Sequence, residues 1–217
     1  MTFARAAIGA GLAFVAVPAM AQSGSPVTAT SPDGKVRVTL AIDGDGRAVY
    51  DVSRGGKAIL NPSRLGFLFT DVVKLERRLA VTGQEVRDTD ETWTQPWGEW
   101  TTIRNHYREL KVHLKETTAL ARVVTVTFRI YNDGVGFRYE FPDQPKLATT
   151  KIADELTEFA FASDATAWWK PAYLWNREEY LYNKTPLSAV STAATPITMK
   201  LADGTHVALH EAALVDY

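Results

Sequence analysis

Tryptophan recurs at positions 93, 97 and 100, with Glu99 between the last two and Arg104, Asn105, His106, Arg108 and Glu109 close behind. An indole face can stack on the C–H face of a sugar, while Glu, Asn and Arg side chains bond its hydroxyls. The same residues also suit a tryptophan-rich loop packed on its own sheet. A second aromatic group, Trp168, Trp169, Tyr173, Trp175 and Tyr180, carries Asn176, Arg177, Glu178 and Glu179 within it. A long irregular aromatic segment of that kind points to function or to an interface. A third group, His210-Glu211-Ala212-Ala213-Leu214, sets a carboxylate at the end of an apolar run. Calcium takes hard carboxylate oxygens of this type. A solvated glutamate at a strand end is the plainer reading of residue chemistry alone.

Other chemistries are excluded. The chain has no cysteine, which removes thiol catalysis, thiolate metal sites and disulfides. It carries no P-loop, GxGxxG, GxSxG or HExxH motif. The histidines at 106, 113, 206 and 210 lack close ligand spacing. A net charge of -1 leaves no electrostatic footprint for nucleic acid or an anionic membrane.

The elements that must position these groups read as strands. Residues 35–42 alternate polar and apolar, which puts Val36, Val38, Leu40 and Ile42 on one face. Gly-rich turns bound them, and residues 48–52 return as a hairpin arm. Residues 65–69, 109–114, 158–162, 196–201 and 207–211 give further strands. Residues 122–131 form the longest, and Asn132-Asp133-Gly134 turns it into residues 135–141. Residues 154–156 are the best place for a helical turn. Many short strands with regular turns predict an all-β sandwich or barrel.

The N-terminus predicts export. Arg5 supplies a positive n-region, residues 6–17 an apolar h-region, and Ala19-Met20-Ala21 a small-x-small cleavage pattern, so residues 1–21 read as a signal peptide. The apolar run is too short to span a bilayer, which needs about 20 residues. A periplasmic or secreted location without membrane insertion follows as an expectation. Residues 22–31 read as a flexible lead-in, and residues 32–217 as one β domain.

The chain resembles glycoside hydrolase family 97 in its N-terminal domain. The resemblance rests on Ser31-Pro32-Asp33-Gly34, Gln95-Pro96-Trp97-Gly98-Glu99, Arg104-Asn105-His106-Tyr107-Arg108-Glu109-Leu110, Asn132-Asp133-Gly134-Val135-Gly136-Phe137-Arg138-Tyr139 and His210-Glu211-Ala212-Ala213-Leu214, in that order. It implies a large β-sandwich of the galactose mutarotase-like supersandwich type. It further implies that this domain precedes a catalytic (β/α)8 barrel in a calcium-dependent, exo-acting α-glucosidase or α-galactosidase. Glu211 is then the position matched to a calcium ligand, and Trp97, Glu99, Asn105 and Arg177 are the substrate-binding candidates. A barrel needs about 250 residues of its own, so the catalytic carboxylates have no counterpart in this chain. The chain stops directly after a strand pattern, which predicts a sandwich truncated at its C-terminus. Two other functions compete: a stand-alone carbohydrate-binding module, and a mutarotase-like enzyme pairing His106 or His210 with Glu99 or Glu211.

Overall fold

A computed structural model describes residues 24–172 and 179–213. Its first sheet is an antiparallel meander of β1 (Val27–Thr30), β2 (Val36–Ile42), β3 (Ala48–Arg54) and β4 (Lys57–Arg64). The second is a meander of β6 (Leu79–Thr94), β7 (Thr102–Glu116), β8 (Val123–Ile130) and β9 (Val135–Glu140). A two-stranded sheet pairs β5 (Phe67–Phe69) with β10 (Ile152–Glu155). The last sheet has the order β12-β11-β13-β14, from β11 (Ala165–Pro171), β12 (Asn183–Pro186), β13 (Ala193–Leu201) and β14 (His206–Leu209). No α-helix occurs among the described residues. None of the described residues forms a helix long and apolar enough to cross a membrane.

Period-2 patterning explains the main core. Side chains alternate across a strand, so Val36, Val38 and Leu40 share a face with each other and with Tyr50 of β3. That face meets Leu110, Val112 and Leu114 of β7 and Val124, Val126, Phe128 and Ile130 of β8. Tyr50 sits 5.3 Å from Phe137 and 6.0 Å from Phe128, ring centre to ring centre, and its hydroxyl donates to the Glu158 carbonyl at 2.8 Å. A second apolar cluster, built on Ala167, Trp169, Ile197, Met199 and Leu201, belongs to the last sheet. Ile59 and Phe161 pack against both clusters and join them.

The all-β sandwich expectation holds, and so does the hairpin of β8 and β9, which pair from Ile130↔Val135 to Thr125↔Glu140. Four local expectations are corrected. The longest strands are β6 and β7, of 16 and 15 residues, because their pairing continues past β8, which is only Val123–Ile130. The flexible lead-in ends earlier than expected, because Val27–Thr30 is strand β1, in register with β2. Val27 and Ala29 are buried while Thr28 faces solvent, and that burial orders the segment. The helical turn at residues 154–156 is instead largely strand: Asp154 and Glu155 pair with Leu68 and Phe67, on an exposed edge where carboxylates cost nothing. Residues 158–162 form no strand and contribute one bridge, Leu60↔Phe161. The signal peptide expected at residues 1–21 lies outside the described residues.

Candidate functional site

β6 and β7 stay paired over fifteen register positions, from Leu79↔Glu116 to Thr94↔Thr102. β8 accompanies β7 only between Lys115 and Arg108. The last six pairs, Thr89↔Tyr107 to Thr94↔Thr102, therefore stand beyond β8 as a two-stranded arm. At about 3.3 Å per residue the arm is roughly 20 Å long. Its sequence explains why only the far end lacks a third strand. β8 ends at Ile130, and the Asn132-Asp133-Gly134 turn carries the chain back into β9.

The tip is residues 95–101. Gln95 closes it twice: its backbone N–H donates to the Thr101 carbonyl at 2.9 Å, and its Nε2 donates to the Trp100 carbonyl at 2.8 Å. Gly98 lies at φ +112°, a conformation that L side chains rarely adopt, and a Cβ there would stand 2.7 Å from Gln95 Nε2. The closed turn displays three indoles, with Trp97 82%, Trp100 68% and Trp93 46% exposed. Glu99 is exposed beside them. The loop packed on its own sheet is thus not what forms; the tryptophans face outward.

Cross-strand polar pairs brace the arm. Arg104 donates to both Asp90 oxygens, at 2.8 and 2.7 Å, and holds that carboxyl below its ordinary range. Arg108 reaches Asp88 at 2.7 Å. Asn105 Nδ2 donates to Glu91 at 2.6 Å, and Tyr131 Oη donates to Asn105 Oδ1 at 3.1 Å. Both ends of the Asn105 amide are engaged; one Nδ2 hydrogen and one Oδ1 lone pair remain for a ligand. At the base, Tyr107 packs 5.2 Å from Tyr131, and the Arg129 guanidinium lies 4.8 Å over the Tyr107 ring. Burial raises the Tyr131 hydroxyl above its usual value.

Glu91 and Tyr131 were missed by reading the sequence. The signal that finds Glu91 is the turn itself: Glu91 and Asn105 lie seven residues on either side of Gly98 and so face each other. Tyr131 had no such local signal, because it arrives from the end of β8.

The remaining candidates lie elsewhere. Glu211 follows β14, at the far side of the last sheet, and is exposed. The aromatic segment splits: Trp168 and Trp169 belong to β11, with Trp169 buried and donating from Nε1 to Thr185 Oγ1 at 3.0 Å. Trp169 is thereby structural, and the half-buried Trp168 ring lies 5.3 Å from Lys184 Nζ of β12. Arg177 lies outside the described residues. No hydrogen bond or ion pair joins His106 or His210 to Glu99 or Glu211 among the described residues.

Calcium needs six to eight oxygen ligands. Among the described residues no group of three or more His, Asp or Glu could hold a metal ion. Glu211 would fit calcium as one contributed carboxylate, with further oxygen ligands needed to complete the shell.

The family model described as glycosyl-hydrolase 97 N-terminal matches residues 29–217. The chain belongs to that family. A family 97 enzyme from Pseudoalteromonas sp., solved in complex with panose and in complex with acarbose, is similar at 39% identity with a TM-score of 0.85. That likeness covers 88% of this chain and 29% of the other. A retaining alpha-galactosidase of Bacteroides thetaiotaomicron is 31% identical over 146 residues, covering 67% of this chain and 20% of that protein. A probable retaining alpha-galactosidase of Streptomyces bingchenggensis is 30% identical over 187 residues, covering 82% of this chain and 27% of that protein. The family 97 chain described here thus spans less than a third of the length of these relatives.

Proposed function

We propose that the chain serves as the N-terminal domain of an exported, calcium-dependent, exo-acting α-glycosidase, an α-glucosidase or an α-galactosidase. The observation that carries this reading is the family match over residues 29–217, set beside relatives more than three times longer. In this reading a neighbouring (β/α)8 barrel supplies the two carboxyl groups that glycoside hydrolysis requires. Bound calcium would supply Lewis-acid polarisation and orientation of the sugar. This chain contributes Glu211 as one calcium ligand. Trp97 and Glu99 offer an indole face and a carboxylate to the oligosaccharide, Asn105 holds the arm that carries them, and Arg177 adds a cation at the rim.

The test uses the full-length enzyme. Glu211→Gln should weaken calcium affinity by at least tenfold in a calorimetric titration, and should lower hydrolysis of a nitrophenyl α-glycoside unless calcium is raised. Unchanged calcium affinity and unchanged activity would refute the assignment. The stand-alone carbohydrate-binding module remains a second reading, favoured by the three exposed indoles. It requires millimolar or tighter saccharide binding by a protein that hydrolyses nothing.

A further inference from the structure

The β6–β7 arm poses a physical problem that sugar contact alone leaves unsolved. A two-stranded ribbon is marginal in water without a third strand or a packed face. This one runs six residue pairs past the end of β8, with Tyr131 packed at its base, and ends in indoles that face outward. At their observed exposures, the three tryptophans present roughly 300–500 Å² of aromatic surface. That is roughly half of the area that each partner contributes to a stable protein interface, about 800 Å².

The arm is also built to hold its shape before anything binds. Gln95 closes the tip, Gly98 permits the turn, and Arg104–Asp90 and Asn105–Glu91 tie the strands together. Pre-organised aromatic anchors inside a polar rim are the usual make-up of a binding hot spot. Trp93 lies opposite Ile103, which adds an aliphatic neighbour on the same face. Within the arm Arg104 balances Asp90, whereas Glu91 is bonded to the neutral Asn105 and Glu99 stands exposed at the tip, so the arm carries a modest excess of negative charge.

We infer that the arm is a clasp: Trp93, Trp100 and Ile103 seat on the remainder of the full-length chain, and this docking carries Trp97 and Glu99 to its surface. The inference rests on the reading of the chain as one domain of a longer glycosidase. The occupant is chosen because the solved relatives that this fold matches contain far more chain than the part matched here, of which this sequence covers 29%. A tethered neighbour also meets the arm at high effective concentration, so modest contact area suffices.

Oxidative footprinting of the full-length enzyme without saccharide tests the clasp. Trp93 and Trp100 should oxidise at least tenfold more slowly than a free indole. The double variant W93A/W100A should split a single thermal unfolding transition into two, and should speed proteolysis between the domains at least tenfold. Free-indole oxidation rates in an active enzyme would overturn the clasp while leaving the glycosidase reading intact. Protection seen only with added oligosaccharide would also overturn it, in favour of a sugar platform. Protection that grows with protein concentration would overturn it in favour of a second copy. A full-length protein that hydrolyses no α-glycoside would remove the glycosidase reading itself, and the clasp with it.

Discussion

Asn105 Nδ2 donates to the Glu91 carboxylate at 2.6 Å across the β6–β7 arm, while its Oδ1 accepts from Tyr131 Oη at 3.1 Å. One amide therefore links both strands of the arm to the end of β8. Asn105→Ala removes both bonds and leaves the half-buried tyrosine hydroxyl without that acceptor. A loss of about 1–3 kcal/mol is expected in urea denaturation. Glu91→Gln keeps a hydrogen-bonding partner and should cost less than Asn105→Ala. Equal costs for the two variants would contradict the linking role.

Arg122 is 1% exposed and donates to both oxygens of Glu116, at 2.9 and 3.0 Å, and to the carbonyls of Val73 and Lys74. It fastens the loop between β5 and β6 to the β7–β8 connection. Arg122→Met strands a buried carboxylate and should destabilise the fold by about 3–5 kcal/mol. Adding Glu116→Met removes that orphan charge and should recover part of the loss. A double variant no more stable than the single would show that the ion pair is not the source of the cost.

Gly98→Ala tests the tip. Its Cβ would collide with Gln95 Nε2 at 2.7 Å, and the backbone would be held at φ +112°. The strain, of order 1–3 kcal/mol, falls on the turn and not on the core. Hydrogen exchange of residues 95–101 should accelerate while β7 and β8 keep their protection. Unchanged exchange at the tip would mean that the turn adapts without strain.

The acid side of the stability curve should show Asp203. The Thr205 backbone N–H that its carboxylate accepts, aided by Lys57 at 3.2 Å, lowers its pKa to about 2. The folded value lies below the unfolded one, so ionised Asp203 favours the native state above pH ~4. That contribution fades as pH falls toward 2. A carboxyl titration followed by NMR should place the midpoint near 2, and Asp203→Asn should flatten the stability curve between pH 4 and 2. A midpoint near 4 would show that the turn does not select the anion.

Particular elements show how far local pattern reaches. Residues 36–42 were legible because Val36, Val38 and Leu40 alternate with polar residues and are buried in that order. The β8–β9 hairpin was legible because β-branched residues flank an Asn-Asp-Gly turn. β6 was illegible: as an edge strand, most of its residues from Gln84 onward are exposed on both faces, so no period survives in its sequence. The segment at residues 154–156 misled for a similar reason, since an exposed edge strand accepts carboxylates as readily as a helical turn does.

The candidate site divides along the same line. Residue type and order were enough to determine an all-β domain and its family, because alternation, turns and ordered motifs are local properties. Only the tertiary structure decided that Trp93, Trp97 and Trp100 ride on an arm beyond β8, that Asn105 is held by Glu91 and Tyr131, and that Trp169 is structural. Those outcomes depend on where neighbouring strands stop and on contacts between distant residues, and no window of sequence contains either.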